Sequence, residues 1–221
     1  SRARVPAAED AFNAGRVVEA HNTIKECIAS DPENPRAQLL MGKIRFVQGK
    51  IELARESLIS ALEIDKSIHQ AWFLLAEIAR NNCDDAEAVS CYKKAIDYDP
   101  LNTDYIVSLA DAYAAMNQYE KSLALLETKL KAAPSSTNIK MATADLYLRC
   151  GRTKDAIKLY KNAQLFNPES RAVSEALGYG YIIEHQWSRA ATIFQELANN
   201  ATVPEKYEYL KLLAVCSMNA G

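Results

Sequence analysis

The 221-residue chain lacks a surplus of charge: 26 basic residues stand against 28 acidic ones, a formal net charge of -2. Without a basic footprint it has no electrostatic case for binding nucleic acid, and we expect none among its partners. It also lacks an uninterrupted apolar run of about 18 residues, which excludes a membrane-spanning helix, and no signal-peptide pattern opens it. Cysteines number five, Cys27, Cys83, Cys91, Cys150 and Cys216, an odd count without any Cys-x-x-Cys pair or His-x-x-x-His spacing. That spacing argues against metal and redox chemistry and for free thiols in a reducing, cytoplasmic setting. We expect Cys83, at a break between helices, to be the exposed one. Only three histidines occur, His21, His69 and His185, too far apart along the chain to converge on a nucleophile or an acid. Gly178-Tyr179-Gly180 has no strand before it to make a phosphate-binding loop. No active site is found and no cofactor is expected. The reading is of a non-enzyme.

What is present is a period. Ala8, Gly42, Ala76, Ala110, Ala144 and Gly178 recur at one constant step of about 34 residues, and Ala214 follows two positions late. Ala20, Ala54, Ala88, Ser122, Ala156 and Ala190 keep the same step, as do Pro32, Lys66, Pro100, Pro134 and Pro168. Within a unit the apolar spacing is helical: Trp72, Leu75, Ala76 and Ala79 form one stripe, and Ala88, Tyr92 and Ala95 form a second after a break. The breaks fall at Gly15, Gly49, Cys83, Asn117, Gly151, His185 and Gly221. Gly and Asn accept the positive φ that ends a helix; Cys and His accept it less readily. Each unit therefore predicts two antiparallel helices whose backbones approach closely at the small columns. One hairpin buries too little to stand alone, so successive hairpins must stack.

These residues resemble the tetratricopeptide repeat. The third unit carries nearly its whole pattern in Trp72, Leu75-Ala76, Ala88, Tyr92, Ala95 and Pro100, and the fourth and fifth are close behind. The resemblance implies an all-α, right-handed α-solenoid of stacked antiparallel helix pairs, with six repeats (1–34, 35–68, 69–102, 103–136, 137–170 and 171–204) and a partial seventh helix over 206–219. Departures are Arg45 for an aromatic, with Phe46 beside it, Lys66 for proline, and Gln38, Lys140 and Ser174 for large apolar residues. The start on Ser1-Arg2 and the stop at Gly221, where a hairpin should turn, lead us to expect a piece of a longer protein.

The family's first helices line a concave groove, so the resemblance points there for a protein or peptide partner. The groove candidates are Arg36, Leu39, Lys43 and Phe46 in the second unit, and Phe73, Glu77 and Arg80 in the third. Asp104, Val107 and Asp111 follow in the fourth, then Met141, Asp145 and Arg149 in the fifth and Tyr179 in the sixth. Mixed apolar and charged positions suit an extended peptide or an amphipathic helix. The acidic members outnumber the basic ones in the middle units, which favours a basic or neutral ligand. The rival readings are a self-association module and a non-catalytic targeting arm of a larger enzyme. In the last helix Leu210, Leu213 and Ala214 are expected to dock on the sixth hairpin, leaving Leu212, Val215 and Met218 facing outward. An apolar outer face implies either further repeats or a homo-dimer through this helix.

Overall fold

In a computed structural model, residues 4–220 are described, and among them lie thirteen α-helices and no strand. The chain divides into two units, 1–116 and 117–221. The first holds α1 (Arg4–Asn13), α2 (Val17–Ser30), α3 (Pro35–Val47), α4 (Ile51–Ile64), α5 (His69–Asn81), α6 (Asp85–Tyr98) and α7 (Thr103–Ala115). The second holds α8 (Tyr119–Ala132), α9 (Thr137–Arg149), α10 (Thr153–Phe166), α11 (Arg171–Ile183), α12 (Trp187–Asn200) and α13 (Val203–Asn219). Within each unit every helix packs on the next in sequence, so the architecture is that of an all-α solenoid of helix pairs.

The breaks have a common geometry. Gly15, Gly49, Cys83, Asn117, Gly151 and His185 all take positive φ, between 56° and 76°. At Cys83 the N–H donates to the Arg80 carbonyl at 3.0 Å and the next N–H, of Asp84, donates to the Ala79 carbonyl at 2.9 Å. His185 and Gln186 repeat this on Ile182 and Tyr181, at 3.0 and 2.8 Å. These two bonds satisfy the last carbonyls of the first helix and hold the left-handed residue in place whatever its side chain. Cys83 and His185 are thus retained at a steric cost that glycine would avoid. We expect Cys83→Gly and His185→Gly each to raise stability by about 0.5–1 kcal/mol, the relieved strain being partly offset by glycine's freer unfolded chain. Chemical denaturation checks this; a loss of stability in both would mean the side chains hold the turn. The seventh break, expected at Gly221, lies outside the described residues.

The other ends are equally local. Asn34, Asp84, Ser136 and Ser170 cap α3, α6, α9 and α11 through their side chains. Where Lys66 stands in the proline column, Asp65 Oδ1 accepts from both the N–H and the hydroxyl of Ser67, at 2.9 and 2.6 Å, and closes the turn that proline closes elsewhere. Those bonds also hold the Asp65 carboxyl below its ordinary pKa. Helix α13 begins at Val203, a little earlier than expected. Thr202 and Glu205 form a capping box around a first turn that contains Pro204, so the proline lies inside the helix start rather than before it.

The small columns are where hairpin helices touch. Gly42 and Gly178 are buried, and a Cβ on either would lie 2.7 Å from Leu58 Cδ2 or Phe194 Cζ of the paired second helix. The departures from the repeat pattern find individual solutions. Arg45 turns toward α4, donating to the Leu53 carbonyl at 3.0 Å and to the buried Ser57 hydroxyl at 2.6 Å. Lys140 has no such solution. It is 2% exposed, its Nζ has no hydrogen-bond partner, and it sits 3.7 Å from the centre of the Phe166 ring.

Burial lowers the pKa of the Lys140 amine. The unfolded chain therefore binds the proton more tightly than the folded one, and this group's penalty is full at neutral pH and fades as the pH rises toward the free-lysine value. We expect Lys140→Leu to stabilise the protein by about 1 kcal/mol at pH 7, the desolvation cost exceeding the lost cation–π contact. The gain should shrink by pH 10. Denaturation at the two pH values checks it, and a destabilised variant would show the cation–π contact to be the larger effect.

Candidate functional site

In the first unit the first helices line two adjoining cavities. One, of 480 Å³, is bounded by Glu9, Phe12 and Asn13 of α1, Arg36, Leu39, Leu40 and Lys43 of α3, and residues 67–70 leading into α5. The other, of 430 Å³, is bounded by Phe12, Lys43, Phe46, Val47, Gln70, Phe73 and Leu74, and by Asn102, Asp104 and Tyr105 at the start of α7. Phe12, Lys43 and Gln70 belong to both walls, so the cavities run into one another.

The apolar part of the wall is aromatic and fixed. Phe73 stacks on Tyr105 with centroids 4.7 Å apart and tilts against Tyr92 at 5.8 Å. The Tyr105 hydroxyl meets His69 Nδ1 at 2.8 Å, and burial raises the Tyr105 pKa. The polar part carries both signs. Arg36 reaches Glu9 at 3.3 Å, and Lys43 Nζ donates to Gln70 Oε1 at 2.7 Å. Burial lowers the pKa of the Lys43 amine, with the Glu9 carboxylate acting the other way. A half-desolvated ammonium beside aromatic walls can donate to a ligand carbonyl or carboxylate, while the aromatics pack against apolar side chains.

Of the groove candidates, the structure brings Arg36, Leu39, Lys43, Phe46, Phe73 and Asp104 onto these walls. It gives others different work. Glu77 accepts a hydrogen bond from the buried Tyr92 hydroxyl and pairs with Arg80 at 2.8 Å. Asp145, in the second unit, accepts from the buried Tyr160 hydroxyl in the same way. These two carboxylates serve the paired second helix, which weakens the acidic surplus from which a basic ligand is expected. Val107 is half-buried and Asp111 exposed, and neither borders the two cavities. In the second unit Met141 packs on the core and Arg149 is exposed, while Tyr179, 47% exposed, meets the Phe194 ring edge-on at 5.6 Å.

Phe12, His69 and Tyr105 are not among the candidates that the sequence offers. Phe12 sits in the first repeat, from which no groove candidate is drawn, and Tyr105 precedes the packing column of its helix; only the neighbouring repeat turns them toward one space. A further apolar cavity of 650 Å³, lined by Ile59, Leu62, Trp72, Leu75 and Tyr98, opens between α4, α5 and α6, with Lys94 Nζ over the Trp72 ring at 4.1 Å.

The docking of α13 corrects the expected one. Tyr209 and Cys216 are buried, and Leu212 and Leu213 pack partly on the second unit's core. Leu212 therefore faces inward, whereas Leu210 and Ala214 are exposed along with Val215 and Met218. The reason lies in the column. The equivalents of Ala214 touch the second helix of their own hairpin, and no such helix follows α13 among the described residues. Of the thiols, Cys27, Cys91 and Cys216 are buried, and Cys150 is exposed as well as Cys83.

A solenoid of stacked helix pairs defines the class of helical repeat proteins. Residues 11–78 and 84–146 match one tetratricopeptide repeat profile and residues 142–172 match a second. The chain belongs to the tetratricopeptide repeat family, whose members are generally protein–protein interaction scaffolds and typically non-catalytic. Among curated proteins it resembles the transcription factor tau 131 kDa subunit of Saccharomyces cerevisiae, 24% identical over 164 residues. That match takes in 74% of this chain and 16% of the yeast protein, so the chain spans a small part of its relative. Among solved structures it resembles a tetratricopeptide repeat protein from Parabacteroides merdae, with TM-score 0.75 and 16% identity over 99% of this chain and 87% of the other. It also resembles YrrB, described as having an unusual peptide-binding site, with TM-score 0.58 and 15% identity over 85% and 96% of the two chains. At such identities the two structures show the fold alone. No helix among the described residues is long and apolar enough to cross a membrane.

Proposed function

We propose that this protein is an interaction scaffold that takes an extended peptide or an amphipathic helix into the groove of its first unit. The observation that carries the reading is the pair of adjoining cavities on the first helices, walled by Phe12, Phe46, Phe73 and Tyr105 and edged by Arg36, Lys43 and Asp104. Aromatic walls suit apolar anchors, and charges of both signs at the edge set register and suppress wrong partners. The peptide-binding site described for YrrB is consistent with this use of the fold. Of the remaining candidates, Asp111 and Val107 would extend the contact along α7. Met141, Arg149 and Tyr179 would belong to a separate contact on the second unit.

The test is selection of peptides from a random library on the 221-residue chain, followed by fluorescence anisotropy on the selected sequences. Phe46→Ala should weaken binding by about tenfold or more, as truncation of a pocket anchor does. Circular dichroism should stay unchanged, because Phe46 is only half-buried. Lys154→Gln, exposed on α10, should leave binding as it was. Selected peptides that bind the Phe46→Ala and Phe73→Ala variants as tightly as the original would overturn the assignment.

A further inference from the structure

Two of the second helices carry outward stripes of opposite charge. Glu52, Glu56, Ile59 and Glu63 on α4, and Lys154, Lys158, Lys161 and Leu165 on α10, occupy the same four columns of the repeat, and all eight are exposed. At about 100° per residue each set falls within about 60° of its helix circumference, in a face about 16 Å long. The same columns on α2, α6, α8 and α12 hold mixed or neutral residues, so helix packing requires neither sign there. Like charges three and four apart repel along their own helix. Among the described residues Glu52, Glu56, Glu63, Lys154 and Lys161 form no ion pair, and Lys158 reaches only Asp155, at 3.3 Å. Each stripe thus holds charge of one sign that its own fold does not use.

One stripe borders a hole and the other ends in a knob. Ile59 and Glu63 belong to the wall of the 650 Å³ apolar cavity, with Leu62, Trp72, Leu75 and Tyr98 around them. Leu165, at the end of the lysine stripe, is 80% exposed. Laid side by side and parallel, column against column, the two helices set Glu52 against Lys154 and Glu56 against Lys158. The same register brings Leu165 to Glu63 at the mouth of the cavity and lays the stem of Lys161 along Ile59. An antiparallel register also pairs opposite charges, but it leaves Leu165 beside Glu52, about 16 Å along the helix from Glu63. The cavity therefore decides the direction.

We infer that this chain self-associates head to tail, α10 of one copy docking on α4 of another with Leu165 entering the cavity beside Trp72. Each contact joins two different patches, the heterologous kind that closes a ring or grows a chain. The occupant is a second copy because the acidic stripe, the basic stripe, the knob and the hole are all surfaces of this one sequence, in one register. The apolar knob supplies the anchor, while the charge pairs around it speed encounter and fix the register. Exposed ion pairs are individually weak and are screened by salt, so the association is reversible and weakens as salt rises. It uses neither the groove on the first unit nor α13.

Sedimentation velocity on the 221-residue chain over a concentration series, at low and at high salt, tests it. Concentration-dependent association is expected, stronger at low salt. Leu165→Glu should weaken it by about tenfold or more. The variant Glu52→Lys with Glu56→Lys and the variant Lys154→Glu with Lys158→Glu should each stay monomeric alone, because like charges then face one another. An equimolar mixture of the two should associate again. All five positions are exposed, so the thermal transitions of these variants at low concentration should match that of the original. Phe46→Ala, in the groove, and Met218→Glu, on α13, should leave the association intact. A second measurement fixes the direction, with the exposed Cys83 and Cys150 changed to serine. Chains carrying Glu63→Cys should cross-link under mild oxidation to chains carrying Leu165→Cys, and chains carrying Glu52→Cys should not. The inference fails if the original chain is monomeric at every concentration and salt, which would leave both stripes to other proteins. It fails equally if the mixture of charge-reversed variants stays monomeric, if Leu165→Glu changes nothing, or if Glu52→Cys cross-links in place of Glu63→Cys.

Discussion

Gly178→Leu should be among the most damaging single substitutions in the second unit, lowering stability by about 3 kcal/mol or more in chemical denaturation. The position is helical, so leucine gains about 1 kcal/mol of intrinsic helix propensity over glycine, and the loss must come from packing. Its first added atom would lie 2.7 Å from Phe194 Cζ and 3.1 Å from Cε2. That ring cannot swing away. It is fully buried, with the Tyr179 ring edge-on at 5.6 Å and the Tyr209 ring stacked at 6.5 Å. Phe194→Ala alone should cost about 3–5 kcal/mol through the cavity it leaves. In the double variant the leucine enters that cavity, so the combined loss should fall short of the sum by about 1–3 kcal/mol. Additive losses would show that the ring does not limit the approach of α11 and α12.

Tyr160→Ala should be comparably damaging, with a loss of about 3–5 kcal/mol, because the side chain is fully buried among Ala144, Ala156 and Ile157. Tyr160→Phe keeps the ring and loses only the hydrogen bond to Asp145, for about 1 kcal/mol, since that exposed carboxylate can return to water. The pair differs in pH dependence as well. Burial first, and then the bond to Asp145, raise the Tyr160 pKa above its ordinary value. Tyr92 is raised by burial and Glu77, and Tyr209 is pushed up to about 12 by burial and Glu175. A raised folded-state pKa means stability that is whole below the unfolded tyrosine value of about 10 and is lost as the pH climbs through the folded one. Stability of the original chain should therefore fall between about pH 10 and 12, and Tyr160→Phe should fall less steeply. Equal slopes would remove Tyr160 from the alkaline transition.

These two positions also show how far the letters reach. Gly178 is legible as a contact position because its column repeats, and repetition at a fixed step survives every local departure. Tyr160 is legible as buried for the same reason. Its bond to Asp145 is not, and Asp145 reads as a groove residue. A carboxylate on a first helix looks the same in sequence whether it faces a ligand or a tyrosine of the paired second helix. Lys140 reads as a polar departure from an apolar column, but that its amine lies unpaired under Phe166 depends on two helices meeting. The groove is legible as a face and not as a cavity: Phe73 and Lys43 can be assigned to it, while Phe12, His69 and Tyr105 cannot.

By itself the sequence determined the helix pairs and their breaks, because these rest on chemistry within a few residues: a left-handed turn and a small residue at a fixed step. It also determined the family, since period and pattern together are the family's definition. Only the tertiary structure decided that Glu77 and Asp145 serve tyrosines of the paired second helices, which aromatics share a wall, and that α13 docks through Tyr209 and Cys216 while Leu210 and Ala214 face outward. The periodicity says that a face is apolar. Which of two neighbouring helices covers that face is set by where those helices lie, and for α13 only one of the two is present among the described residues.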